Sequence, residues 1–194
     1  MSERWHIVIG SDDAGVAYKA ALTADLEADP RVTGIIDIGA PTDEPAPYVR
    51  VALAAARVVT EGRADRALLI CGAGLGVAMS ANKVPGIRAV TASDSPSVAR
   101  SVLDNHAQVL CLGHQVISLD LARRLTREWL GYRFESRSAA NVTVIGTFED
   151  DTELAHRRRS RPNSTGRPRP LVTRARPNDP HRPGRDGRLR VVSG

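Results

Sequence analysis

The sequence predicts an α/β fold, a Rossmann-like three-layer sandwich around a five-stranded parallel sheet. Two observations carry that expectation. Over residues 1–150, five short apolar runs alternate with amphipathic stretches, the rhythm of strand–helix–strand units that place helices on both faces of a sheet. The runs are continuous and β-branched rather than alternating, as expected where both faces of a strand are covered.

Taken in order, the strands fall at Trp5–Gly10, Thr33–Ile38, Ala67–Cys71, Arg88–Ala92 and Gln108–Leu112. Helical patterns occupy Ala14–Ala28, Val49–Glu61, Gly76–Asn82, Ser95–Asn105 and Ser118–Leu130. A last helical stretch around Ser138–Glu149 is expected to dock on the same domain or on a neighbouring subunit. These elements form one domain over residues 1–153. Aromatic residues are scarce, so its core has to be made of Val, Ile, Leu and Ala.

The formal net charge of +5 is not a property of the whole chain. From His156 to Gly194 there are twelve Arg against two acids, Asp179 and Asp186, which leaves −5 for residues 1–155. The 154–194 stretch also holds six of the twelve prolines. It cannot bury enough apolar surface to offset its ordering entropy and is expected to be a disordered basic tail. Clustered Arg suits non-specific phosphate binding. The tail has no aromatic residue to stack on bases, however, and a solvated extension or a non-native continuation of the reading frame is the plainer reading.

No apolar run reaches the about 20 residues of a membrane helix, and Met1–Gly10 lacks the basic-then-apolar layout of a secretory signal. The two cysteines, Cys71 and Cys111, lie forty residues apart with no metal-type spacing to His. Reduced thiols in a cytoplasm, with neither a disulfide framework nor a metal site, are the expectation.

Ligands of open α/β sheets bind at the carboxyl ends of the strands. Those ends carry GSDDAG (10–15), ICGAGLG (70–76), TASDS (91–95) and LGHQ (112–115). In the second, Gly72, Gly74 and Gly76 let the backbone approach a ligand and turn N–H groups into one space. The helix that follows adds its positive end, a setting for phosphate or an enediolate oxygen that also favours a thiolate at Cys71. A dinucleotide fingerprint fits less well, because the third glycine falls one place early and Val77 stands where it should be. A tight turn beside a buried, inert cysteine is the alternative that the residues alone leave open. Aldose–ketose isomerisation needs one base to move a proton between C1 and C2 and donors to stabilise the enediolate. Cys71 facing glycine N–H groups offers both.

With GSDDAG, LLICGAGLG, SANKVPGIRAV, VLCLG and REWLGYRFE, the chain from about His6 to Ile145 resembles the family of ribose-5-phosphate isomerase B and the galactose-6-phosphate isomerase subunits. The resemblance implies a Rossmann-like five-stranded fold, a sugar-phosphate substrate, no cofactor, and homodimers or homotetramers with active sites shared between subunits. It implies Cys71 as general base and the loop Gly72, Ala73, Gly74, Leu75 and Gly76 as the anion-binding segment. Asp12 and its neighbour Asp13 would face the sugar, Tyr48 would line the pocket, Asn105 would hold a hydroxyl and Arg137 would grip the phosphate.

Five departures narrow the substrate. Asp13 stands where the family commonly has His, and Ala73 where a hydroxyl residue is common. Gln115 and Asn141 replace arginines of the ribose-5-phosphate enzymes. Asp104, counted with Cys71 as the second catalytic candidate, occupies the position of the ring-opening His, and His106 two residues on reads as a solvated helix-end histidine. A tetrose 4-phosphate has its O4 esterified and forms no furanose, so it needs no ring opening. The SDDAG variant with Asp104 resembles the erythrulose-4-phosphate isomerase branch. Type B ribose-5-phosphate isomerase activity and a non-catalytic phosphosugar-binding subunit or sensor are the alternatives.

Overall fold

The computed structural model describes residues 4–39 and 47–160. Five strands run β1 Trp5–Ser11, β2 Val32–Ile38, β3 Arg66–Cys71, β4 Ala89–Thr91 and β5 Val109–Gly113. Every ladder is parallel, in the order β2-β1-β3-β5-β4. Helices α1 Val16–Glu27, α2 Tyr48–Thr60, α3 Leu75–Ala81, α4 Ser95–Leu103, α5 Leu119–Gly131 and α6 Ala139–Ser160 connect and follow them. All five predicted strands are present, with ends shifted by no more than two residues.

The sheet has a core on each face. Val8, Leu69, Val109 and Cys111 pack against Val51, Ala52, Ala55 and Ala56 of α2 and Val77 and Ala81 of α3. On the other face Ile7, Ile9, Leu68, Ile70, Leu110 and Leu112 meet Leu22, Val98, Val102, Leu125 and Trp129 of α1, α4 and α5. β3 is buried along its whole length, which explains its unbroken apolar sequence. At its amino end Arg66, itself buried, stacks on Trp5 at 4.0 Å and donates to the Tyr132 carbonyl at 2.6 Å. That guanidinium ties the start of the central strand to the end of α5.

Two differences from the sequence reading have physical causes. The first predicted helix begins with a 3-10 turn, Asp13–Gly15, because the Asp12 carboxylate accepts from the Gly15 N–H at 3.0 Å and closes a tight cap. The last helix is described as far as Ser160, past the Glu149 at which its sequence pattern ends. Glu, Leu, Ala and Arg are strong helix formers without any apolar periodicity. The rest of the tail, 161–194, lies outside the described residues.

The order of the strands reverses between β1 and β3, with β2 outside one and β5 outside the other. A crevice opens at such a switch point, beyond the carboxyl ends of the strands. The loops after β1 and β3 meet there.

Candidate active site

Cys71 ends β3, with its side chain on the α2–α3 side of the sheet and 6% of its surface exposed. The Gly74 N–H donates to its Sγ at 3.1 Å. Gly74 makes this possible with φ of +78°, where a side chain would also meet Thr91 Cγ2 at 2.9 Å and the Leu112 carbonyl carbon at 3.1 Å. The second cysteine is unlike the first. Cys111 is fully buried, and desolvation, with a smaller contribution from Cys71, pushes its thiol far above the ordinary range. Both thiols are free; only Cys71 is set among donors.

The glycine loop is clamped from three sides. Thr91 Oγ1 donates to the Gly74 carbonyl at 2.7 Å. The His114 and Gln115 N–H groups donate to the carbonyls of Cys71 and Gly72, each at 3.0 Å. The Tyr48 ring lies against Gly76, where a Cβ would stand 2.5 Å from its Cε2. The loop is therefore preformed, with donors held in place before any ligand arrives. α3 has only seven residues, so the loop N–H groups contribute more than the helix end invoked from the sequence. Thr91 and Gly113 are functional supports the sequence reading did not single out. Their segments, TASDS and LGHQ with its preceding strand, were the available signal.

Asp12 and Asp13 sit on the same rim. The Asp12 N–H bonds the Ile70 carbonyl at 3.3 Å, which brings the β1 loop next to Cys71; Asp13 is exposed at the start of the 3-10 turn. Ala73 and Leu75 are exposed at the loop's surface. One chain thus collects Cys71, residues 72–76, Asp12, Asp13 and Tyr48 in one crevice.

Asp104, Asn105 and Arg137 are elsewhere. They lie where α4 ends and the chain turns back into β5, at the amino edge of the sheet, with the Glu135 N–H bonded to the Leu103 carbonyl at 3.0 Å. The length of β3, roughly 15–20 Å, separates them from Cys71. Asp104 Oδ2 pairs with Arg100 at 3.1 Å and Oδ1 with Arg137 at 3.4 Å, while Asn105 donates to the Arg100 carbonyl at 3.2 Å. His106 is exposed, as expected, and it is also held in place. It takes φ of 52°, stacks on Phe134 at 4.6 Å and lies 3.3 Å from the Arg88 guanidinium. Burial first, then the charges of Arg88 and Arg66, lower its pKa, which favours the neutral imidazole.

A thiol at a strand tip beside a clamped glycine loop is the arrangement that chemistry at a carbonyl next to an abstractable proton would use. The chain belongs to the ribose/galactose isomerase family, whose model matches residues 7–145; these are sugar-phosphate isomerases. It is 59% identical to D-erythrulose-4-phosphate isomerase 2 of Mycolicibacterium smegmatis over 74% of this chain and 96% of that one. It is 37% identical to D-erythrulose-4-phosphate isomerase of Pectobacterium atrosepticum, over 74% and 94%. Among solved structures, ribose-5-phosphate isomerase B of Clostridium thermocellum superposes with a TM-score of 0.71 at 37% identity, covering 76% of this chain and 99% of that one. Among the described residues no helix is long and apolar enough to cross a membrane, and no cluster of His, Cys, Asp or Glu could hold a metal ion.

Proposed function

We propose that this chain interconverts D-erythrulose 4-phosphate and D-erythrose 4-phosphate through a 1,2-enediolate. The observation that carries the reaction is the Gly74 N–H on Cys71 Sγ. The Cys71 thiolate takes a proton from C1 of the ketose, and the loop N–H groups hold the oxygen that gains charge at C2. The thiol then returns the proton to C2 while the O1 proton passes to O2, which leaves the aldose. Tyr48, Asp12 and Asp13 line the sugar's side of the crevice. No cofactor is required, because the substrate's own carbonyl is the electron sink.

The tetrose substrate is argued from Asp104. A carboxylate paired to two guanidiniums is an acceptor, with no proton to offer a ring oxygen. It therefore suits a substrate that is already open-chain. The two relatives named as D-erythrulose-4-phosphate isomerases support the same choice.

We infer further that the site is completed by a second copy of the chain, in a homodimer or a tetramer of such dimers. Arg137 and Asn105 cannot reach a substrate on Cys71 of their own chain across the length of β3. Large apolar side chains are left exposed around the crevice, Leu75 at 57%, Met79 at 64% and Val116 at 60%, as they are on α6, with Phe148 at 73%. Such surfaces suit a partner. The free thiols fit a reducing, cytoplasmic setting.

Mixing two impaired variants, assayed far below the wild-type KM where loss of a phosphate contact lowers the rate, tests this arrangement. Cys71→Ala and Arg137→Ala chains, dissociated and reassembled together, should regain up to roughly a quarter of wild-type turnover, since each hybrid dimer has one site with both native halves. A site contained in one chain would show no recovery, and a sensor would show no turnover in any mixture.

A further inference from the structure

A phosphate dianion held by a single exposed arginine would be weakly gripped, and Arg137 is the one guanidinium that the sequence offered for it. The structure brings a second beside it. Arg100 lies one helical turn before Asp104 on α4, and the two oxygens of that carboxylate hold Arg100 and Arg137 at 3.1 and 3.4 Å. The burial is uneven. The Asp104 side chain is 29% exposed, whereas Arg100 and Arg137 are 65% and 60% exposed. The carboxylate is the covered member, and both guanidinium forks face outward. Glu135 fixes Arg137 from its other side, accepting from Nε at 2.8 Å. With Asp104 and Glu135 balancing two arginines, the cluster is neutral, so anion binding here depends on aimed N–H groups more than on net field. Asn105 anchors on the Arg100 carbonyl and completes a polar surface of five side chains from the end of α4 and the segment before α6.

We propose that Arg100 is a second phosphate-binding residue, and that Asp104 is a positioning residue that holds Arg100 and Arg137 side by side for the substrate's phosphate. The inference rests on the sugar-phosphate reading above. It gives Asp104 a task in place of ring opening and supplies a cation that Gln115 and Asn141 do not.

Inorganic phosphate is the probe, titrated by calorimetry into the full-length protein. Arg100→Ala is expected to weaken phosphate binding about tenfold, as loss of one charge-assisted arginine contact should. KM for the sugar phosphate should rise in parallel while kcat stays within about twofold, because the arginine binds ground and transition states alike. On an Asp104→Ala background the same substitution should have less than about a third of that effect, since the guanidinium is no longer held. A change below threefold for Arg100→Ala, or a wild-type protein that does not bind phosphate, would overturn the proposal. An undiminished effect without Asp104 would overturn the positioning role. If phosphate binding responds to Arg100 but the wild type turns over no tetrose phosphate, the substrate reading fails and the phosphate site stands.

Discussion

Cys71→Ala should lower kcat by about 10³–10⁴-fold, with substrate still bound. In D2O the wild type should place deuterium at C1 of the ketose and C2 of the aldose, and the variant should place none. The reason is local. Removing Sγ takes away the acceptor of the Gly74 N–H but leaves the clamps at Thr91, His114 and Gln115 intact, so the loop keeps its shape without its base. Cys111 cannot substitute, being fully buried on the inner strand β5 with its thiol held neutral by desolvation. Proton NMR of the product pool reads the exchange directly; deuterium incorporation at the wild-type rate would remove Cys71 from the role of base.

Gly113→Ala is expected to lower turnover as well, without touching a reacting group. A Cβ at 113 would stand 2.6 Å from the carbonyl carbon of Ala73 and 2.7 Å from its oxygen. Both neighbours are backbone, so no side chain can swing away; the glycine loop must lift off the tip of β5. Overpacking of this kind costs about 1–3 kcal/mol of stability, and displacing oxyanion donors by about 1 Å costs on the order of 10²-fold in kcat. Urea denaturation and steady-state kinetics would measure the two effects separately. Wild-type kcat in the variant would mean that the loop is not seated on Gly113.

Much of this could be read in the sequence, and the omissions share a cause. The strands were legible because continuous β-branched runs leave few alternatives, and Cys71 with its glycines was legible because the loop is a local motif. The extension of α6 was not, since residues 150–160 have helix-forming composition without an apolar stripe. Thr91 and Gly113 escaped notice because their work is done across loops that meet only when β3, β4 and β5 align at their carboxyl ends. The ring that stacks on the exposed His106 was not legible because Phe134 is 28 residues away. Arg100 has the same character: its spacing to Asp104 is helical and visible, but the link to Arg137 spans 33 residues and depends on the turn between α5 and α6.

The same separation explains why the candidate residues, all drawn from one sequence, form two groups in one chain. A strand long enough to hold the sheet together keeps Cys71 and Asp104 apart. On the proposed reading a second copy completes the site, and the choice of substrate falls to the half that carries Asp104.

A comparison of kcat/KM for D-erythrulose 4-phosphate and D-ribulose 5-phosphate, on the same preparation of wild-type protein, tests that choice most directly. A preference for the tetrose phosphate of at least about tenfold is expected. A preference of that size for the pentose phosphate would contradict it, because a chain with Asp104 in that place would then be opening a ring.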